Sequence, residues 1–143
     1  MKITKLSENA VLPTKGSSQA AGYDLYACLK DSITIEPNET VMIKTGISIA
    51  LPEGTFGGIF ARSGLATKQG LRPANCVGVI DSDYRGEIMV AIHNDNNSFS
   101  RMISNHDRIA QLIVIPYLNV EFEEVENLDS TERGNGGFGS SGK

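Results

Sequence analysis

Apolar and polar positions alternate with a period of two along most of this chain. Ile33 and Ile35 flank Thr34, Val41 and Ile43 alternate with Met42 and Lys44, and Ile47, Ile49 and Leu51 alternate with Ser48 and Ala50. Turn chemistry separates these runs at Glu36-Pro37-Asn38-Glu39, Pro52-Glu53-Gly54 and Asn94-Asp95-Asn96-Asn97. Short strands broken at such intervals predict an all-β sandwich, jelly roll or barrel. Ile109 to Ile115 is more continuously apolar, which predicts a strand buried on both faces. Helix is scarce: Ser63 to Lys68 predicts one short helix behind a serine cap, ended by Gly70. Neither an internal repeat nor a second domain is visible. From Ser130 onward the chain is rich in Gly and Ser with little to bury, so 1–129 reads as the folded domain and 130–143 as a flexible arm.

One segment breaks the pattern. Gly78-Val79-Ile80-Asp81-Ser82-Asp83-Tyr84-Arg85-Gly86 ends an apolar run, and a new strand, Glu87 to Ile92, starts at once with Ile88, Val90 and Ile92 alternating. Strand, polar corner, strand is the pattern of a β-hairpin. Turning the chain does not require two carboxylates, a phenol ring and a guanidinium, so the corner is a candidate binding or catalytic site.

Composition narrows the possibilities. A chain of 143 residues is one domain, long enough to bury a core without disulfides or metals. A net charge of −4 and a pI near 5.1 argue against a general nucleic-acid binder, though local arginines can still oppose the overall sign. Cys28 and Cys76 lack metal-site or redox spacing and read as small apolar side chains in a reducing compartment. No run is long enough for a membrane-spanning helix, and the N-terminus lacks the apolar core of a signal peptide. A soluble cytoplasmic protein with no membrane or nucleic-acid partner is expected.

Further groups could carry chemistry. Arg62-Ser63-Gly64 opens the predicted helix, where backbone N–H groups and a guanidinium make an anion seat; an ordinary cap beside a solvated arginine has the same signature. Asp24 lies among aromatic and aliphatic neighbours, as a paired structural carboxylate or a contributor to a cation site. Asp107-Arg108 suggests an ion-pairing corner, and Gln111 a hydrogen-bonded core amide. His93 and His106 have no metal-ligand spacing. Gly137 to Lys143 imitates part of a phosphate loop but lacks the closing Ser or Thr and a following helix. In the same tail Phe138 stands among glycines behind Arg133, as suits an arm that folds over a ligand.

Taken in order, five blocks resemble the trimeric dUTP pyrophosphatase (dUTPase) family. They are Ala21-Gly22-Tyr23-Asp24-Leu25-Tyr26-Ala27, Arg62-Ser63-Gly64-Leu65-Ala66, Gly78 through Gly86, Arg108-Ile109-Ala110-Gln111-Leu112, and Arg133 through Gly142. The resemblance implies a jelly-roll-like distorted β-barrel with one short helix, assembled as a homotrimer with sites at subunit interfaces. One subunit would supply the first, second and fourth blocks, another the third, and the remaining one the arm that closes over the site. The implied reaction hydrolyses dUTP to dUMP and pyrophosphate with Mg2+ on the triphosphate, limiting uracil in DNA and supplying dUMP for thymidylate synthesis. Asp81 would be the general base. Arg62, Ser63 and Gly64 would contact phosphates, and Gln111 would lie near them and their ordered water. Asn75, Val79, Ile80 and Met89 would hold uracil, while Tyr84 would exclude a 2′-hydroxyl. Phe138 would stack on the base, Arg133, Ser140 and Ser141 would reach the outer phosphates, and Gly139 would belong to the same substrate-binding segment. Asp24 would act on the metal only indirectly.

Three departures from the family pattern stand out: Ala61 for a usual proline, His106 for a usual glycine, and Ser141 for a common threonine. Asp83 and Arg85 read best as ion-pairing residues. The rival readings are a dCTP deaminase-related enzyme and a non-catalytic nucleotide-binding trimer.

Overall fold

The structure, a computed structural model, describes residues 1–137. Among them the strands run β1 (Lys2–Lys5), β2 (Thr14–Lys15), β3 (Tyr23–Tyr26), β4 (Ile33–Ile35), β5 (Thr40–Lys44) and β6 (Ile47–Ala50). After β7 (Thr55–Phe60) comes the helix α1 (Ser63–Gln69), then β8 (Leu71–Pro73) and β9 (Gly78–Ile80). The last strands are β10 (Met89–Asn94), β11 (Arg101–Ile103) and β12 (Arg108–Pro116). Every pairing is antiparallel. A five-stranded sheet runs β2-β3-β12-β7-β9, a three-stranded one β5-β10-β8, and two pairs are β1-β6 and β11-β4. The fold is the expected jelly-roll-like all-β one, built from separate sheets around a common core, none of which closes into a barrel.

The period-two reading holds because inward residues meet at that core. Leu25, Ile35, Ile43, Leu71 and Ile92 are completely buried, and Ile88 and Val90 join them from the segment after the polar corner. Each such side chain contributes roughly 1.5–3 kcal/mol when removed from water. The predicted turns also form. Glu39 N–H donates to Glu36 O at 3.0 Å, and Thr55 N–H to Pro52 O at 3.2 Å with Gly54 left-handed. No helix among the described residues is long and apolar enough to cross a membrane. Both cysteines are free; Cys28 is half-buried, whereas Cys76 is exposed rather than packed as a small apolar group.

Three local expectations need correction. The strands flanking the polar corner do not pair with each other: β9 pairs with β7, while β10 pairs with β5 and β8. The corner is therefore a crossing between two sheets rather than a hairpin tip. Ser63 is the first residue of α1 rather than its cap; Arg62 is the cap residue, extended and without a side-chain capping bond. Only the first half of β12 is fully covered, at Ile109, Ala110 and Leu112, whereas Ile113 to Ile115 are half-buried. The helix end is as predicted, with left-handed Gly70 donating its N–H to Ala66 O.

Candidate active site

The central position of β12 assembles the first half of the site. Gln111 lies opposite Asp24 of β3 on one side and Phe60 of β7 on the other, and β7 runs directly into Ala61, Arg62 and α1. Asp24 bridges two arginines: its Oδ1 accepts from Arg62 Nε at 2.8 Å and its Oδ2 from Arg108 Nη1 at 3.3 Å. Arg62 also donates to Arg108 O at 3.3 Å. Gln111 Nε2 donates to Ala61 O at 2.9 Å. That bond uses a main-chain carbonyl, so alanine serves it as well as proline would. Gln111 Oε1 packs against Gly22, where an added Cβ would collide with it.

These groups border an open cavity of about 600 Å³, lined among others by Arg62, Ser63, Gly64, Lys68, Arg108 and Gln111. One carboxylate set against two guanidiniums and an ammonium leaves its wall net positive. The first helical N–H groups have no intrahelical partner, and the space over Gly64 is empty where a Cβ would stand. An anion of triphosphate size can therefore approach the backbone itself. Lys68 and Arg108 were not singled out from sequence as site residues. The signal for Lys68 was its place four residues beyond Gly64, on the same helix face.

The polar corner forms the second half. Tyr84 N–H donates to Asp81 O at 3.1 Å, closing a β-turn that leaves the Asp81 carboxylate exposed. Tyr84 folds back so that its hydroxyl donates to Glu87 O at 3.0 Å, and its ring covers Gly86, where a Cβ would strike it. Arg85 does not pair with Asp83. Its Nη1 donates to Ser82 O at 2.6 Å and Tyr84 O at 2.9 Å, capping carbonyls of the turn. Asn75, Val79 and Met89 are exposed nearby in the chain, and Ile80 is half-buried.

The structure brings Asp24, Arg62, Ser63, Gly64 and Gln111 together, but none of Asn75, Val79, Ile80, Asp81, Tyr84 and Met89 lines their cavity. Arg133 Nε donates to Gly136 O at 2.9 Å within the C-terminal segment. Phe138, Gly139, Ser140 and Ser141 lie outside the described residues. His106 adopts the left-handed conformation natural to glycine (φ 67°), so this departure leaves a glycine-like backbone at the corner before β12. Its N–H donates to Ala27 O at 2.9 Å.

The sequence profile of the dUTPase family matches residues 8–142. The chain belongs to the dUTPase family. Among curated relatives, the deoxyuridine 5′-triphosphate nucleotidohydrolase of Desulfitobacterium hafniense is 51% identical over 132 residues, covering 92% of this chain and 87% of that protein. The protein of the same name from Acinetobacter baumannii is 44% identical over 140 residues, covering 97% and 93%. Among solved structures, a Staphylococcus bacteriophage 80alpha dUTPase with dUpNHpp superposes with a TM-score of 0.89 at 32% identity, over 99% of this chain and 98% of that one. A dUTPase from phage phi11 of S. aureus, described with a structural Mg(II) ion, gives 0.81 at 27% identity over 90% and 98%. All five family blocks of this chain fall within the matched range.

Proposed function

We propose that the chain is a dUTP diphosphatase, hydrolysing dUTP to dUMP and pyrophosphate at sites shared between the subunits of a homotrimer. The observation that carries this reading is the division of the site: a net-positive cavity and, outside its lining, an exposed carboxylate at the polar corner. Two such halves complete each other when they come from different copies. Leu118, Val120 and Phe122, in water on the single chain at 85%, 62% and 98% exposure, supply further surface for association.

In the completed site Arg62 and the N–H groups of Ser63 and Gly64 hold phosphate oxygens, and Gln111 orients a water near them. Asp81 accepts a proton from that water as its oxygen attacks the α-phosphorus, and the bond from the α-phosphorus to the bridging oxygen breaks, releasing pyrophosphate. Arg62 and Arg108 neutralise charge that develops on the oxygens. Asn75, the Val79–Ile80 backbone and Met89 read uracil, while Tyr84 occupies the space a 2′-hydroxyl would need. Arg133 and the segment with Phe138, Gly139, Ser140 and Ser141 form the arm over the bound nucleotide.

Among the described residues no cluster of three or more His, Cys, Asp or Glu forms a metal cage. The donor set therefore fits magnesium carried mainly by the triphosphate, with Asp24, already bridging two arginines, reaching it only through water. When bound, the ion would neutralise phosphate charge.

Asp81→Asn is expected to leave a folded protein that binds dUTP and turns it over at least about a hundredfold more slowly, measured as pyrophosphate release. Wild-type turnover in that variant would remove Asp81 as the base. Assays with dTTP, dCTP and UTP should show strong preference for dUTP, and ammonia release from dCTP would favour a deaminase instead.

A further inference from the structure

The Asp81–Tyr84 turn is clamped from behind by the connection between β5 and β6 and the first residues of β6. Ser48 Oγ donates to Arg85 O at 2.7 Å, Gly46 N–H to Glu87 Oε1 at 2.8 Å, Thr45 Oγ1 to Ile88 O at 2.5 Å, and Ile88 N–H to Ile47 O at 2.9 Å. Residues 45–48 thus bind the main chain of Arg85 and Ile88 and the side chain of Glu87. The clamp is anchored in turn. Gly46 O accepts from Leu6 N–H at 2.7 Å, and Lys44 O from Cys28 N–H at 2.8 Å. Thr45, Ile47 and Ser48 are buried, so the connection is part of the packed interior. Gly46 is left-handed (φ 67°), and a Cβ there would lie 2.8 Å from both Ala10 Cβ and Cys28 Sγ. Only glycine lets the Gly46 N–H reach Glu87 while its carbonyl reaches Leu6.

The corner needs such support. It leaves one sheet at Ile80 and enters another at Met89, so no ladder of its own holds it. From the clamped side, the Glu87 carbonyl receives the Tyr84 hydroxyl and Arg85 caps the carbonyls of Ser82 and Tyr84. Displacing 85–88 therefore moves Asp81 and Tyr84 together, while Val79 and Ile80 keep their separate attachment to β7.

We infer that Glu87 and Ser48, with Thr45, are positioning residues that hold Asp81 and Tyr84 in register, coupling turnover to discrimination between deoxyribose and ribose. This rests on the roles proposed above for Asp81 and Tyr84. Their joint mounting gives a signature that general destabilisation does not share. In Glu87→Ala, kcat for dUTP falls about tenfold or more, and the dUTP-to-UTP ratio of kcat/KM narrows by a similar factor. The dUTP-to-dTTP ratio stays within about twofold of wild type, because Asn75, Val79 and Ile80 lie outside the clamp and Met89 is held by its pairing with Lys44 of β5. Glu87→Gln keeps an acceptor for Gly46 and restores both quantities. Ser48→Ala repeats the effect through an independent bond, and it decides the matter if Glu87→Ala does not fold.

The assay is run beside Asp81→Asn. If Asp81→Asn is inactive, an unchanged kcat and sugar ratio in the clamp variants overturns the inference. Equal loss toward all nucleotides, with both ratios intact, overturns it too and leaves only a structural role. If Asp81→Asn remains active, the base assignment fails, and the clamp is judged by the dUTP-to-UTP ratio alone: a narrowed ratio sustains it and an unchanged one overturns it.

Discussion

Gln111 stands amid a mainly apolar strand, which marks it in the sequence, but its orientation depends on two distant residues. The Ala61 carbonyl holds its amide nitrogen, and the missing side chain of Gly22 leaves room for its oxygen. Gly22→Ala should therefore swing Gln111 away and lower kcat/KM for dUTP about tenfold, while stability falls by only about 0.5–1.5 kcal/mol, the worth of one ordinary hydrogen bond. Parallel kinetics and urea denaturation check both; unimpaired activity would mean that Gln111 need not point into the cavity. Asp24 illustrates what sequence left open. As one carboxylate among apolar neighbours it could pair or bind a cation, and its partners turned out to be 38 and 84 residues away in the chain. Arg85 was legible as a charged group at the corner, but its bonds to backbone carbonyls were not, since turn geometry decides which acceptors a guanidinium reaches.

Strands and turns were the most legible elements, because period-two burial and glycine or proline punctuation are local properties. Strand partners were not. Gly78–Ile80 and Met89–Asn94 are near in sequence, yet the core places them in different sheets, with β7 and β5 as partners. Asn94 shows the same limit. It reads as a turn residue and is instead completely buried, its Nδ2 donating to Ile35 O at 3.0 Å, Glu36 O at 3.2 Å and Phe99 O at 2.9 Å. Its Oδ1 accepts from Asn96 N–H at 3.1 Å. Asn94→Ala would remove three donated bonds at once, among them the buried one to Ile35 O, so a loss of about 2–4 kcal/mol is expected in urea denaturation. A change below about 1 kcal/mol would mean that water readily replaces the amide.

On the scale of the whole molecule, the two halves of the site do not line a common cavity on one chain. The trimeric reading makes a direct prediction. Asp81→Asn and Arg62→Ala should each abolish most activity alone, whereas co-refolded mixtures should recover it, because some sites then combine an intact corner with an intact cavity. Random assembly of equal amounts would restore about a quarter of the sites. Light scattering should report three copies per particle, and a mixture that stays inactive while forming trimers would place both halves in the same subunit. The sequence by itself determined the β class, the short helix and its glycine stop, and the family, because alternation, turn residues and five ordered blocks are written along the chain. Only the tertiary structure decided that the polar corner crosses between sheets, that Asp24 bridges two arginines, and that Ser48 and Glu87 support the corner from behind. Those are contacts between residues far apart in the chain, and no local pattern encodes which of them meet.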